Sequence, residues 1–293
     1  MYLRASNAVF VEVGGTSTDI SAIKDGKPRV DYSVIGGHRT YVSSLDVRVT
    51  GIAGGSMVRA RKGSGLIDVG PRSAHIANMD YACYTDPEEI DGAVVEYIQP
   101  TEGDPNDYVA LKLKSGKYIT ITTSCAANAL KLLTDDDFSK GNYESSIKAI
   151  SILASDIGKT VEETADKILE LATDKIIPVI ENLITTYQLE RDQIVIIGGG
   201  GGAAALVKYA SKRLDIPYEI PQDAEVISSI GVALAMVREM VERTAPNPTV
   251  EDIASIKREA KEQAIKSGAV ESTIEVTVEI DDQAQKLTAI AMG

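Results

Sequence analysis

Cysteine, histidine and positive charge are all scarce in this chain. Its 293 residues include two cysteines, Cys83 and Cys125, too few for a disulfide framework and in keeping with a reducing compartment. There are two histidines, His38 and His75. Neither has clustered ligand residues beside it, which argues against a histidine metal centre and for ordinary surface or hydrogen-bonded roles. Lysine plus arginine number 30 against 43 acidic residues, a formal net charge of −13. That excess argues against a general nucleic-acid or anionic-membrane surface. No apolar run approaches the roughly 20 residues of a membrane span, and the opening residues lack the pattern of a secretory signal. Neither a GxxxxGK[ST] P-loop nor a GxGxxG fingerprint occurs, and no repeat or low-complexity segment is found. These absences leave a globular, cytoplasmic reading, with 44% hydrophobic residues for a core in one or two domains.

Glycine is what the chain has, and it has it in two telling places. The first is Val9-Phe10-Val11-Glu12-Val13-Gly14-Gly15-Thr16-Ser17-Thr18-Asp19-Ile20-Ser21. Residues 9–13 read as a buried strand. Gly14 and Gly15 permit a tight turn with no Cβ in the way of a phosphate. Thr16, Ser17 and Thr18 add hydroxyls, and consecutive amides there are suited to an anion nest. Alternation resumes after the turn, so a hairpin tip is expected rather than a strand-to-helix loop. The second place is Gln193-Ile194-Val195-Ile196-Ile197-Gly198-Gly199-Gly200-Gly201-Gly202-Ala203. Residues 194–197 read as a buried strand, and residues 203–210 as a helix. Strand, glycine turn and helix bring a ligand to backbone near a helix N-terminus. With no side chains, this run offers only backbone and space, which suits an adenosine or a diphosphate. An ordinary hairpin and an unliganded flexible turn are the plain alternatives.

Periodicity organises the rest. Residues 8–50 read as β-hairpins, with turns at Lys24-Asp25-Gly26-Lys27-Pro28 and Ile35-Gly36-Gly37, and residues 92–123 are strand-rich. Ile147, Ile150, Leu153 and Ile157 recur at helical spacing up to Gly158. Thr160 and Glu163 form a capping box for a helix running toward Pro178, which is expected to kink or restart it. A further helix is expected over 228–243, then a linker at Thr244-Ala245-Pro246-Asn247-Pro248. A capped amphipathic helix to about Ser267 and two strands around Asp281-Asp282 complete the reading. The expected domains are residues 1–245, with a β-rich insertion at about 86–122, and residues 249–293 as a helix and β-hairpin extension.

Several motifs carry a resemblance. Residues 12–21, EVGGTSTDIS, resemble the second phosphate motif of the actin/Hsp70/sugar-kinase superfamily. The match is to the DVGGTSTD form of the hydantoinase A/5-oxoprolinase family, which includes N-methylhydantoinase A and acetone carboxylase β-like chains. Gly51-Ile52-Ala53-Gly54-Gly55-Ser56 resembles that family's GAGGGS, Val69-Gly70-Pro71-Arg72-Ser73-Ala74 its VGPxSAG, and Ala82-Cys83-Tyr84 its ACYG. Residues 197–202 resemble its FGGAGP, and Val226-Ile227-Ser228-Ser229-Ile230-Gly231 its VxSAxG. The departures are Glu12 where the family has Asp, Ser73-Ala74-His75-Ile76-Ala77-Asn78 where its proline and glycine are lost, and Cys125-Ala126-Ala127-Asn128 in place of TDAN.

The resemblance implies an α/β fold: the second half of a two-domain, actin-like (ribonuclease H-like) ATPase, with a β-rich insertion and a small C-terminal α+β extension. It implies ATP and Mg²⁺ as cofactors. Gly14, Gly15, Thr16, Ser17 and Thr18 would hold the β- and γ-phosphates. Gly198, Gly199, Gly200, Gly201 and Gly202 would accept adenosine. Glu12 and Asp19 would serve the chemistry, Glu12 holding the metal. Gly54, Gly55, Ser56 and Arg59 are the substrate-side candidates, with Arg59, Arg61 and Lys62 read equally as a solvated basic turn. The family's first phosphate motif is not found, so the expected partner is a missing N-terminal ATPase half, in a longer chain or as a separate subunit. A hydantoinase B-type subunit and an oligomer are also expected, and neither nucleic acid nor membrane. The implied activity is ATP-dependent hydrolysis or carboxylation through phosphorylation of an amide or ketone carbonyl. The alternatives are an ATP-driven switch of reactivase type and a degenerate scaffold. Asp135-Asp136-Asp137 reads as a helix N-terminal or solvated acidic turn, and Cys83, with no paired base in the sequence, as an ordinary thiol rather than a nucleophile.

Overall fold

The structure is a computed structural model and describes residues 5–281 and 283–293. Residues 1–4, at the start of the expected first domain, and Asp282 of the expected turn lie outside the described residues. The chain divides into two units, Met1–Ser228 and Ser229–Gly293.

The first unit is built on two sheets. One runs in the order Tyr218–Glu219, Val195–Gly199, Ala8–Val13, Thr18–Lys24 and Lys27–Pro28, with Val47–Thr50 also pairing on Thr18–Lys24. Ala8–Val13 and Thr18–Lys24 form the expected hairpin, with Val13 opposite Thr18 and Glu12 opposite Asp19. On its other edge Ala8–Val13 pairs in parallel with Val195–Gly199, placing Glu12 beside Gly199. Both glycine turns therefore leave the same edge of adjacent strands. Period-two alternation selects the faces: Val9, Val11, Val13, Ile20 and Ala22 are buried, while Phe10, Glu12, Asp19 and Ser21 are half-buried on the opposite side.

The second sheet runs Gly65–Ser73, Ser56–Arg61, Tyr108–Lys112, Tyr118–Thr120 and Asp80–Tyr81, with Val94–Ile98 on Tyr108–Lys112. The stretch expected as an insertion at about 86–122 is thus not an appendage. Tyr108 pairs with Arg59, and Tyr108, Val109, Ala110 and Leu111 are fully buried, so this stretch supplies the middle of the sheet. Its near-continuous apolar run marks a strand covered on both faces.

Helices Thr123–Ala129, Tyr143–Ile157, Val161–Thr186 and Ala203–Leu214 pack with these sheets into one apolar cluster that includes Val11, Ile119, Ile150, Ile168 and Leu206. Tyr143–Ile157 ends at Gly158 in the left-handed conformation, φ 71°, and the Thr160–Glu163 capping box forms. Val161–Thr186 then runs unbroken through Pro178. The expected restart does not occur: Ile176, Ile180, Leu183 and Ile184 are buried on one stripe, and that packing outweighs the hydrogen bond a mid-helix proline forfeits.

The second unit corrects the expected boundary. Only Ile227–Ala233 is helical in the stretch read as a helix over 228–243; Arg238–Thr244 is a strand. It pairs along its whole length with Lys286–Met292, which also pairs with Glu275–Asp281. Strand pairing here overrides the apolar periodicity. Residues 244–248 are therefore a connection inside this unit rather than a linker between domains. Helix Val250–Lys266 starts at the Thr249–Asp252 capping box and lays Ile256, Ala260 and Ala264 onto Val241, Leu287, Ala289 and Ala291. No helix of the described residues is long and apolar enough to cross a membrane.

Candidate functional site

The two glycine turns are joined by backbone. The Gly202 amide donates to Val13 O (2.8 Å), and the Gly54 amide donates to Gly14 O (3.1 Å). Within the first turn the Gly14 amide donates to Ser17 O (3.0 Å). Gly54 O in turn accepts from the Ser124 amide (3.1 Å), Ser124 Oγ (2.8 Å) and Thr123 Oγ1 (2.9 Å). Contact this close requires glycine. A Cβ on Gly202 would lie 2.8 Å from Val13 Cγ1 and 2.9 Å from Gly14 O. One on Gly200, where φ is +79°, would fall onto the Val13 carbonyl.

These contacts wall a cavity of about 710 Å³, within the range of small-molecule sites. Gly14, Gly15, Gly54, Gly201, Gly202 and Ser124 line one end. His75, Tyr81, Tyr84, Asp86, Glu89 and Lys117 line the other, with Phe138 and Glu225 on the wall. Among the described residues, the amides of Gly15, Thr16, Ser17 and Gly201 donate to no protein acceptor. Backbone donors are seldom left unpaired without solvent or a ligand. Consecutive amides of this kind form an anion-binding concavity.

The expected site residues divide. Gly14, Gly15, Gly54, Gly201 and Gly202 line the cavity. Gly200 lines an adjoining cavity of about 450 Å³ that shares Phe138, Gly201 and Glu225 with the first. Gly198 and Gly199 are still strand, packed on Val207 and on Phe10 and Ile227 respectively. The three expected hydroxyls do not act together. Thr18 is fully buried and its Oγ1 donates to Ile52 O (2.5 Å), so it is structural; Thr16 Oγ1 is 2.9 Å from Ser73 Oγ. Ser17 alone has no side-chain bond among the described residues.

Glu12 and Asp19 do not line the cavity. They face each other on the half-buried side of the hairpin, where Glu12 accepts a short hydrogen bond from Ser228 Oγ. Two opposed carboxylates and a hydroxyl are a donor set compatible with a hydrated Mg²⁺, which uses one or two carboxylates and keeps several waters. No group of three or more His, Cys, Asp or Glu able to hold a metal occurs among the described residues.

The substrate-side candidates fare unevenly. Gly55 and Ser56 lie behind the cavity wall, Ser56 Oγ accepting from the Ala53 amide (2.8 Å). Arg59 points elsewhere. Its Nε and Nη2 donate to Asp107 (2.6 and 3.0 Å), its Nη1 to Asp68 (3.4 Å), and its side chain is 16% exposed. The acidic turn caps no helix: Asp137 accepts from the Thr134 amide and hydroxyl and from Lys208 within a turn, its side chain largely buried. Cys83 and Cys125 are free, fully buried thiols, the Cys83 amide donating to Cys125 Sγ (3.3 Å). Hydrogen bonding to Cys125 and burial push the Cys83 thiol well up, which fits an inert role.

Sequence reading missed His75, Tyr81 and Phe138. Their signals lie in the quoted motifs: His75 follows Ser73-Ala74 at the glycine position of VGPxSAG, and Tyr81 directly precedes Ala82-Cys83-Tyr84. A Cβ on Gly201 would meet Phe138 Cδ1 at 2.8 Å, and one on Gly15 would meet His75 Nε2 at 2.5 Å.

The sequence profile of the hydantoinase/oxoprolinase family matches residues 1–241. Comparison with curated proteins gives no match. Among solved structures, the chain is similar to nucleotide-free acetone carboxylase, from work on ATP-dependent acetone carboxylation, at 16% identity and a TM-score of 0.61. It is also similar to the ATP-dependent caprolactamase from Pseudomonas jessenii, at 19% identity and a TM-score of 0.58. Each alignment covers 98% of this chain and 46% of the other, so the chain spans about half the length of these relatives. At such identities the likeness establishes the mixed α/β fold.

Proposed function

Because this chain belongs to the hydantoinase/oxoprolinase family, we propose that its first unit is one half of an actin-like ATPase in an ATP-dependent amide hydrolase or carboxylase. The observation that carries this is the set of unpaired amides at the two glycine turns: those of Gly15 and Gly201, which line the cavity, and those of Thr16 and Ser17, which follow Gly15 in the first turn. Backbone donors fixed in place lose no conformational freedom on binding, and they act most strongly where water is excluded. In this reading they hold the phosphate oxygens of ATP, with Ser17 Oγ beside them. The adjoining cavity at Gly200, Ala204 and Ile220 takes the nucleoside. Glu12 and Asp19 hold Mg²⁺ through water.

ATP, when bound, supplies an electrophilic phosphoryl group. In this reading the γ-phosphoryl group would pass to the carbonyl oxygen of a cyclic amide, or to the enol oxygen of a ketone whose α-proton has gone to solvent, with the bridging P–O bond breaking and ADP as the leaving group. An amide carbon would thereby be activated toward water, and a ketone's α-carbon toward carboxylation. This chain's residues contribute positioning and charge neutralisation, as in phosphoryl transfer generally. A second ATPase half and a second subunit are part of the proposal, as are a cytoplasmic setting and oligomerisation. ATP dependence in the two similar structures supports it.

Phosphate release is the test. With Mg·ATP and a panel of cyclic amides and small ketones, hydrolysis that rises at least tenfold with one acceptor supports the enzyme. Hydrolysis indifferent to every acceptor and raised only by a protein partner contradicts it and favours the switch.

A further inference from the structure

Tyr81 and His75 occupy the point where the phosphate turn meets the remainder of the cavity. Tyr81 Oη and His75 Nε2 are 3.0 Å apart, and their rings are tilted at 54° with centroids 5.4 Å apart. Tyr84 stacks on the far side of Tyr81, centroids 5.6 Å apart at 27°. A Cβ on Gly55 would fall onto both Tyr81 Oη and Gly15 O, so the phenol reaches the turn itself. The result is a three-ring wall ending in one hydroxyl beside the phosphate turn.

Acidic side chains outnumber basic ones at this end, Asp80, Asp86 and Glu89 against Lys117. Asp86 and Glu89 line it, and Lys117 is drawn to Asp80 (2.6 Å). Two arginines of the neighbouring sheet are committed elsewhere, Arg59 to Asp107 and Arg72 to Asp104. Among the described residues no arginine lines the cavity. A ligand carboxylate would therefore meet like charge with no free guanidinium to receive it.

We propose that this end is the acceptor subsite, that it takes an uncharged or cationic flat carbonyl compound and rejects carboxylates, and that Tyr81, oriented by His75, donates a hydrogen bond to the acceptor's carbonyl oxygen. The proposal rests on the reading of the glycine turns as the phosphate site. With His75 Nε2 protonated, the imidazole donates to Tyr81 Oη and the phenolic proton is left for the ligand. Burial, with the neighbouring Cys125 and Cys83, holds the phenol above its ordinary value of 10.0, so it acts as a donor and not a base. A flat amide stacks on the ring wall while its oxygen points toward the γ-phosphate position.

The test uses the full chain with 2-pyrrolidinone as the neutral probe, 5-oxoproline as its carboxylate counterpart and 3-amino-2-pyrrolidinone as its ammonium counterpart. Binding is read by ligand-detected NMR titration in the presence of Mg·ADP. The neutral and ammonium lactams bind at least tenfold more tightly than 5-oxoproline. The double variant Asp86→Asn/Glu89→Gln narrows that gap to less than threefold. Tyr81→Phe weakens the neutral lactam five- to tenfold, and His75→Gln, which keeps a donor, weakens it less than His75→Phe does. Carboxylate binding equal to or tighter than neutral binding, no lactam binding at all, or a Tyr81→Phe variant with unchanged lactam affinity and an unchanged melting curve would each overturn the proposal. Mg·ADP affinity, measured separately on the wild type, shows whether the phosphate site stands when the acceptor subsite does not.

Discussion

At the scale of residues, glycine chemistry separates structural demand from site demand. Gly200 is held at φ +79° with its Cα against the Val13 carbonyl, so Gly200→Ala combines left-handed strain with a backbone clash. It is expected to cost about 2 kcal/mol or more, read as a lowered midpoint in urea. Arg59 is the reverse case: a residue that sequence placed near substrate and the structure places in an ion pair. Arg59→Ala strands Asp107, 12% exposed, and is expected to cost roughly 2–3 kcal/mol while changing Mg·ATP affinity less than twofold. Asp137 gives a pH signature. Burial works against its charge, but Lys208 and the Thr134 amide and hydroxyl prevail and hold its carboxyl below the ordinary 3.8. A folded-state value that is lowered contributes stability above the unfolded value and loses it as pH falls through the folded value. The difference in melting temperature between wild type and Asp137→Asn should be full at neutral pH and shrink as pH falls below the ordinary carboxylate value of 3.8.

At the scale of elements, sequence spoke clearly wherever local chemistry decided the outcome. The hairpin over residues 8–24, the Gly158 stop, both capping boxes and the strand–glycine–helix unit over 195–214 depend on neighbours within a few positions. Thr160→Ala should accordingly cost about 1 kcal/mol in thermal or chemical unfolding, the usual value of an N-cap. Sequence was silent where distant pairing decided. Arg238–Thr244 carries helical periodicity but becomes a strand because Lys286–Met292, over forty residues on, pairs with it throughout. The stretch at 86–122 looked added because its strands pair with distant ones: Tyr108 with Arg59 of Ser56–Arg61, and Ile119 and Thr120 with Asp80 and Tyr81. The site followed the same rule. Its backbone half is written in contiguous glycines. Its aromatic half joins His75 and the strand residue Tyr81 to Phe138 from the turn before Tyr143–Ile157, and only the fold brings them to Gly15 and Gly201.

At the scale of the molecule, the chain has a first unit lying within the family match and a second, helix-on-sheet unit that the match enters only to residue 241. The first unit presents two surfaces that the proposed reaction would use: the cavity at the glycine turns and the half-buried face carrying Glu12 and Asp19. In the proposed arrangement two halves close on one nucleotide, so this chain alone should bind nucleotide more weakly than a closed pair. The central claim is that the unpaired amides at the first turn form a phosphate site. Calorimetric titration of the full chain with Mg·ATP, beside Gly15→Val, tests it most directly, because a side chain at Gly15 disturbs the turn and its His75 contact at once. The account predicts saturable binding in the micromolar range by the wild type and a loss of at least tenfold in the variant. Equal affinity in the two proteins, or no binding by the wild type up to millimolar nucleotide, would contradict it.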